Sequence, residues 1–256
     1  MDLGLAGRRV LITGASGGIG GAIALAFAAE GADLALHYRS GKDATAELAQ
    51  RVTAAGAGRT VLVSGDLSRS GAATQVVAEA VASLGGLDIL INNAGGMVER
   101  REVGGIDGDL MTAFFQLNVF SLMEASSAAL PHLAADAGGA IVNVSSVAAR
   151  NGGGVGSSLY CSSKAAVDGF TRSMGKELAT TKVPVRVNAI APGIIRTPFH
   201  SRTPVEVMSG LAAAIPMGRL GDPEECATTV VFLASAATAS YVTGQVFDIN
   251  GGVWMG

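Results

Sequence analysis

The chain has 256 residues, 49% of them hydrophobic and only 15% charged, with 36 glycines, so it can bury a large core and does not read as disordered. Basic and acidic residues number 18 and 21, for a formal net charge of -3, and no run of either sign marks a nucleic-acid or membrane-binding face. Two cysteines, Cys161 and Cys226, make neither a disulfide framework nor a metal cluster, so no metal is expected.

The opening stretch MDLGLAGRRVLITG has no basic region leading into a long apolar run and a cleavage site. No apolar window reaches the roughly 20 residues a bilayer requires, and a soluble, cytoplasmic protein is expected. RRVLIT then reads as a strand, followed by a helix from about Gly18 to Glu30. ADLALHY precedes a helix from Lys42 to Ala55, and TVLVSGD precedes one from Ala72 to Ser83. LDILINNAG leads to a long helix from about Asp107 to Leu133, and GAIVNVSS to a helix that carries Tyr160 and ends near Leu178. PVRVNAIAPG, a helix after Asp222 and GQVFDI complete the chain.

Strands alternating with helical crossovers predict an α/β fold: one doubly wound, seven-stranded parallel sheet with helices on both faces. No linker divides it, so residues 1–256 are expected to form one dinucleotide-binding and catalytic domain. Ligands of such sheets bind at the carboxyl ends of the strands, where Gly14, Asp66, Gly95, Ser146 and Gly193 fall. The long helix is apolar nearly all round, and the Tyr160 helix carries a stripe of Val167, Phe170, Met174 and Leu178. A sheet can cover only part of such surfaces, which predicts that both helices meet a second subunit.

TGASGGIG places Gly14, Gly18 and Gly20 directly after the first strand and at the start of a helix. Glycines permit a tight turn and close approach of backbone to a pyrophosphate, whose charge a helix N-terminus favours. The expected contacts in this turn are Gly14, Ser16, Gly18, Ile19 and Gly20. The second strand ends LHYRSGK, with Tyr38 where an NAD-selecting acid would stand and Arg39, Ser40 and Lys42 after it. A guanidinium grips a 2′-phosphate that a carboxylate would repel, so NADP(H) is preferred and NAD(H) is the alternative.

In LYCSSKAAVDGF, Tyr160 and Lys164 are four apart and so share one face of a helix. TGASGGIG, NNAG at residues 92–95, Asn118 in LNV, Ser146 in NVSS, Tyr160-x-x-x-Lys164 and PGIIRTP from Pro192 follow in order. From about Leu5 to its end the chain resembles a short-chain dehydrogenase/reductase of the roughly 250-residue type. The resemblance implies a catalytic tetrad of Asn118, Ser146, Tyr160 and Lys164, with Lys164 also on the nicotinamide ribose. It further implies that Asp66 and Leu67 flank the adenine and that Asn93, Ala94 and Gly95 shape the wall near the ribose. Beyond Pro192 and Gly193, Ile195 and Thr197 would anchor the carboxamide. Ser146 precedes Tyr160 by fourteen residues, one more than is commonest in the family, and the glycine-rich RNGGGVGSS can absorb the difference.

A ketone that accepts hydride develops alkoxide charge and needs a proton donor and hydrogen bonds at that oxygen. Bringing a phenol from its usual pKa near 10 to about 7 takes roughly 4 kcal/mol, of which one adjacent cation supplies a large part. Tyr160 is therefore expected to carry the proton, Lys164 to hold down its pKa, and Ser146 to hold the carbonyl oxygen. In the family context Asn118 would position a water linking Lys164 to solvent. Asp168, Lys176 and Glu177 read as solvated charges.

Residues 194–220 read as a substrate lid. Phe199, Met208, Leu211 and Ile215 are candidate pocket residues, with Met97, Val155 and Ser158 approaching from other loops. Arg196, His200 and Arg202 are lid charges that solvent or an anionic substrate could take up. The ending GQVFDINGGVWMG is similar to that of 3-oxoacyl-(acyl-carrier-protein) reductases, whose tails pack at a tetramer interface, so a homotetramer or homodimer is implied. PHLAADAGGAIV lacks the basic residues that greet an acidic carrier protein, which counts against that partner. The leading reading is an NADPH-dependent reductase of a ketone or 3-oxoacyl group. Behind it stand an NAD(P)-linked dehydrogenase of a sugar, polyol or other secondary alcohol and, last, a non-catalytic nucleotide-binding scaffold.

Overall fold

The computed structural model describes residues 2–133, 139–198 and 205–256. The lid residues Phe199, His200 and Arg202 lie outside the described residues. The strands are β1 (Arg9–Ile12), β2 (Asp33–Tyr38), β3 (Thr60–Ser64), β4 (Ile89–Asn92), β5 (Ala140–Val144), β6 (Arg186–Pro192) and β7 (Val246–Ile249). All pair in parallel, in the order β3-β2-β1-β4-β5-β6-β7. The expected seven-stranded sheet is what forms.

Side chains alternate across each strand, so neighbours in sequence enter opposite cores. Val10 and Ile12 of β1 pack with Phe27 of α1 (Gly18–Ala29), Leu48 and Val52 of α2 (Lys42–Ala54) and Val230 of α9 (Pro223–Ala234). Leu11, between them, joins Val76 and Ala80 of α3 (Ala72–Leu84), Ala129 of α5 (Ser121–Leu133) and Met174 of α7 (Ser158–Leu178). Two buried layers thus hold the sheet, and the chain crosses from one to the other between β1 and β4.

Local chemistry fixes the helix ends. Asp107 accepts from the Leu110 N–H and starts α4 (Gly108–Phe115). Asp222 and Glu225 form a capping box with Pro223 at the first turn of α9. The helix expected over Asp107 to Leu133 is interrupted: between α4 and α5, Gln116–Phe120 form a π turn. Asn118 Nδ2 donates to the Phe114 carbonyl at 3.1 Å, one turn back, so a side chain takes an acceptor that the α-helical ladder would use. Short elements without a periodic signature also appear: a 3₁₀ turn at Val103–Gly105, α6 (Ala148–Asn151) and α10 (Ala236–Ala239), while α8 is Val205–Ala214. Among the described residues no helix is long and apolar enough to cross a membrane.

Candidate active site

Because β1 and β4 send their connections to opposite faces, their carboxyl ends diverge into a cleft of about 1510 Å³. The glycine turn after β1 forms one wall, contributed by Gly14, Ser16, Gly18 and Ile19. Gly14 and Gly18 have φ of 65° and 57°, which a side chain would strain. Gly20 serves differently: a Cβ there would lie 2.3 Å from the Gly14 carbonyl and 2.6 Å from Asn93 Nδ2, so it lets the turn close and does not form the wall. Gly17 precedes α1 and offers its first N–H groups no capping side chain.

Two side chains hold this turn in place. Asn93 donates through Nδ2 to the carbonyls of Thr13 and Gly14, both at 2.9 Å, and its N–H donates to Thr13 Oγ1 at 3.0 Å. His37, inside β2 and 2% exposed, accepts from the Gly14 N–H through Nδ1 at 3.0 Å. Its Nε2 then carries the proton and donates to the Gly65 carbonyl at 3.1 Å. Burial holds its pKa below the ordinary histidine value, with the Gly65 bond acting the other way. Sequence reasoning passed over His37, whose partners are a glycine turn and a strand end far away in the chain.

Arg39 and Ser40 line the far end of the cleft, and Leu67 and Ser68 close it from β3. Asp66 stands outside the wall. The Ser68 hydroxyl and N–H bind its carboxylate and hold its pKa down, with Arg39 and Arg69 adding to the effect. Ala94 and Gly95, then Pro192, Gly193, Ile195 and Thr197, line the middle. Gly193 approaches β7 so closely that a Cβ would lie 2.8 Å from Asn250 Cα. An isolated bridge from Ile195 to Gly221 pins the segment after it.

At the opposite end, α7 delivers Tyr160 and Lys164 to the cleft. Lys164 is 4% exposed; its Nζ donates to the Val144 carbonyl at 2.8 Å and lies 5.9 Å from the centroid of the Tyr160 ring. Burial lowers its pKa to about 8, against the pull of Asp168. Ser146 is hydrogen-bonded to the Tyr160 side chain and accepts from the Ala148 N–H at 3.2 Å. Ser145 instead donates to the Lys164 carbonyl at 3.2 Å and so anchors α7. The phenol corrects an expectation: desolvation raises the Tyr160 pKa above its ordinary value, and the contribution that lowers it comes from the Ser146 hydrogen bond.

Asn118, 1% exposed, lies beneath the wall, where Oδ1 accepts from the Gly96 N–H at 2.8 Å and Nδ2 donates to the Gly96 carbonyl at 3.0 Å. Gly95 is what lets these groups close in: a Cβ there would lie 2.7 Å from Asn118 Oδ1 and 3.2 Å from Lys164 Nζ.

Asp168 is also corrected, since it is 3% exposed and its Oδ2 lies 3.2 Å from Arg150 Nε. Arg150 Nη2 is in turn 3.7 Å from Asp248 Oδ2. Lys176 and Glu177 are exposed as expected. Leu211, Ile215 and Met97 line the cleft, whereas Met208, Val155 and Ser158 do not. Arg196 turns away to Asp222 at 3.2 Å. Among the described residues no group of three His, Cys, Asp or Glu could hold a metal.

Known proteins match this arrangement over nearly the whole chain. A family model described as enoyl-(acyl carrier protein) reductase matches residues 14–254. The uncharacterized oxidoreductase YhdF of Bacillus subtilis is 39% identical over 97% of this chain and 84% of its own. The 3-oxoacyl-[acyl-carrier-protein] reductase FabG of Thermotoga maritima is 36% identical over 97% of this chain and 98% of its own. A solved structure of the NADH-dependent reductase A1-R′ complexed with NAD superimposes with a TM-score of 0.89 at 34% identity, covering 100% of both chains. The chain thus belongs to the short-chain dehydrogenase/reductase family and is an oxidoreductase of that family.

Proposed function

We propose that the protein is an NADPH-dependent reductase of a ketone or 3-oxoacyl group, with Asn118, Ser146, Tyr160 and Lys164 as its catalytic set. The observation that carries this reading is one continuous cleft with Ser146, Tyr160 and Lys164 at one end and Arg39 and Ser40 at the other. The residues fit a nicotinamide dinucleotide. The uncapped start of α1 and the left-handed Gly14 and Gly18 suit a pyrophosphate, and Arg39, with no acid at the end of β2, suits a 2′-phosphate. Gly20 supports the turn from behind. Leu67 borders the adenine end, with Asp66 preceding it outside the wall, Asn93, Ala94 and Gly95 border the ribose, and Pro192, Gly193, Ile195 and Thr197 the nicotinamide. Residues 194–220 serve as the substrate lid.

When bound, the reduced nicotinamide supplies the hydride. Tyr160, kept protonated by its desolvated setting, donates its proton to the oxygen that gains charge, and Ser146 supplies a second hydrogen bond to that oxygen. Lys164, charged below about pH 8, stabilises the phenolate left behind. Asn118 keeps the Gly96 backbone and the π turn in register behind them. We also infer a homodimer or homotetramer, because Met111 and Phe120 on the α4–α5 face are 46% and 44% exposed.

Initial rates with NADPH and NADH against acetoacetyl thioester, diketones, aryl ketones, sugars and polyols, in both directions, test this reading. The expected result is NADPH-selective reduction, with Tyr160→Phe losing about 10²- to 10⁴-fold in turnover while NADPH affinity is kept. NAD-linked oxidation of a polyol or sugar without ketone reduction would replace it by the dehydrogenase alternative. Unchanged turnover in Tyr160→Phe would remove the tetrad from the chemistry.

A further inference from the structure

The charged side chains among the described residues lining the cleft are of one sign. Among these residues Arg39, Arg100 and Lys164 carry charge and no Asp or Glu appears. Lys164 is committed to Val144 and stands beside Tyr160, and Arg39 lies at the adenosine end of the proposed dinucleotide site. Arg100 has neither role. It follows β4 in the chain and lines the cleft together with Gly154, just ahead of Tyr160, where an added Cβ would lie 3.7 Å from Arg100 Nη1.

The surrounding backbone positions this arginine without neutralising it. Nη1 donates to the Val155 carbonyl at 3.0 Å, and the adjoining Arg101 N–H donates to the Gly156 carbonyl at 3.0 Å. Gly156 (φ 73°) makes room: a Cβ there would lie 3.4 Å from Arg100 Cβ and 3.2 Å from Arg101 N. The nearest acid in sequence, Glu99, is taken by Arg101 Nε at 2.8 Å. Among the described residues Arg100 makes no ion pair and no second side-chain hydrogen bond, so most of its donor fork is available to a ligand.

We propose that Arg100 receives a carboxylate on the substrate, making the preferred substrates oxo acids, in which a ketone or aldehyde is reduced while a carboxylate at the other end is held by this side chain. A guanidinium fixed at one N–H presents its remaining donors to a planar carboxylate with little ordering cost, and no acid among the described lining residues adds repulsion. The inference rests on the proposed reductase activity, because the carbonyl must reach Ser146 and Tyr160 when the carboxylate reaches Arg100.

Paired substrates test it: 4-oxopentanoate and 5-oxohexanoate against their methyl esters, with wild type, Arg100→Gln and Arg100→Lys and saturating NADPH. The expected result is that wild type prefers the acids and that Arg100→Gln raises their KM about 10- to 100-fold. Arg100→Lys should recover part of this loss, with kcat, ester kinetics and NADPH affinity unchanged. A wild-type preference for the esters, or equal losses on acid and ester, would overturn the assignment. If no carbonyl compound is reduced while NADPH still binds, the reductase reading itself fails. The carboxylate site is then judged by calorimetric titration of glutarate into the protein with NADP⁺: binding at least tenfold tighter to wild type than to Arg100→Gln upholds it, and equal or absent binding overturns it.

Discussion

Lys164 and Asp168 lie one helical turn apart on α7, both buried, and their coupling sets the pH range over which the site keeps its cation. Burial depresses the lysine to about 8, and Asp168, shared with Arg150, works against that depression. The pH profile of kcat/KM for NADPH reports groups of the free enzyme. It should be level at neutral pH and fall above about pH 8 as the ammonium loses its proton. Asp168→Asn removes the opposing charge, so the fall should begin at lower pH; a limb that the substitution leaves in place would separate Asp168 from the lysine. The spacing of Tyr160 and Lys164 was legible in the sequence because i and i+4 share a helix face whatever surrounds them. Asp168 was misread because its partner, Arg150, which also reaches Asp248, meets it only through tertiary packing, and His37 went unseen for the same reason.

On the scale of elements, α7 is held by a close approach that two of its glycines separate cleanly. A Cβ on Gly175 would lie 2.6 Å from the Gly244 N and 2.8 Å from its Cα, in the turn before β7. Backbone cannot yield as a flexible side chain would, so Gly175→Ala should cost about 1–3 kcal/mol in urea unfolding. Gly169, on the same helix, is exposed with nothing within 4 Å of its added Cβ, and Gly169→Ala should stabilise by about 0.5–1 kcal/mol. A loss at both positions would mean that the face bearing Gly169 is covered in solution. The strands and main helices were legible because each alternates or repeats its apolar residues over several turns. The π turn was not, since it arises from one amide, Asn118, bonding back to Phe114, and periodicity carries no trace of such a bond.

Over the whole molecule, large apolar side chains are exposed at several places among the described residues, Val103, Val155, Val207 and Met217 included, and two groups of them bear on assembly. One is the α4–α5 face, where Met111 is exposed and the rings of Phe115 and Phe120 stand 6.2 Å apart. The other surrounds the end of the chain, where Phe232, Tyr241, Trp254 and Met255 are exposed. Two separate apolar patches suit a closed assembly with two kinds of interface better than a single pairing, which favours a tetramer over a dimer. Sedimentation equilibrium at micromolar concentration should therefore give about four times the chain mass. Phe120→Glu would bury a charge at the first interface, and Tyr241→Glu a charge at the second, at a cost that a water-excluding contact cannot absorb. Each substitution alone should yield a dimer with an unchanged far-ultraviolet circular dichroism spectrum, and the pair together a monomer. A wild-type mass of one chain would show that these patches remain open to water. A dimer abolished by one substitution and untouched by the other would identify a single interface and leave the second patch without a role in assembly.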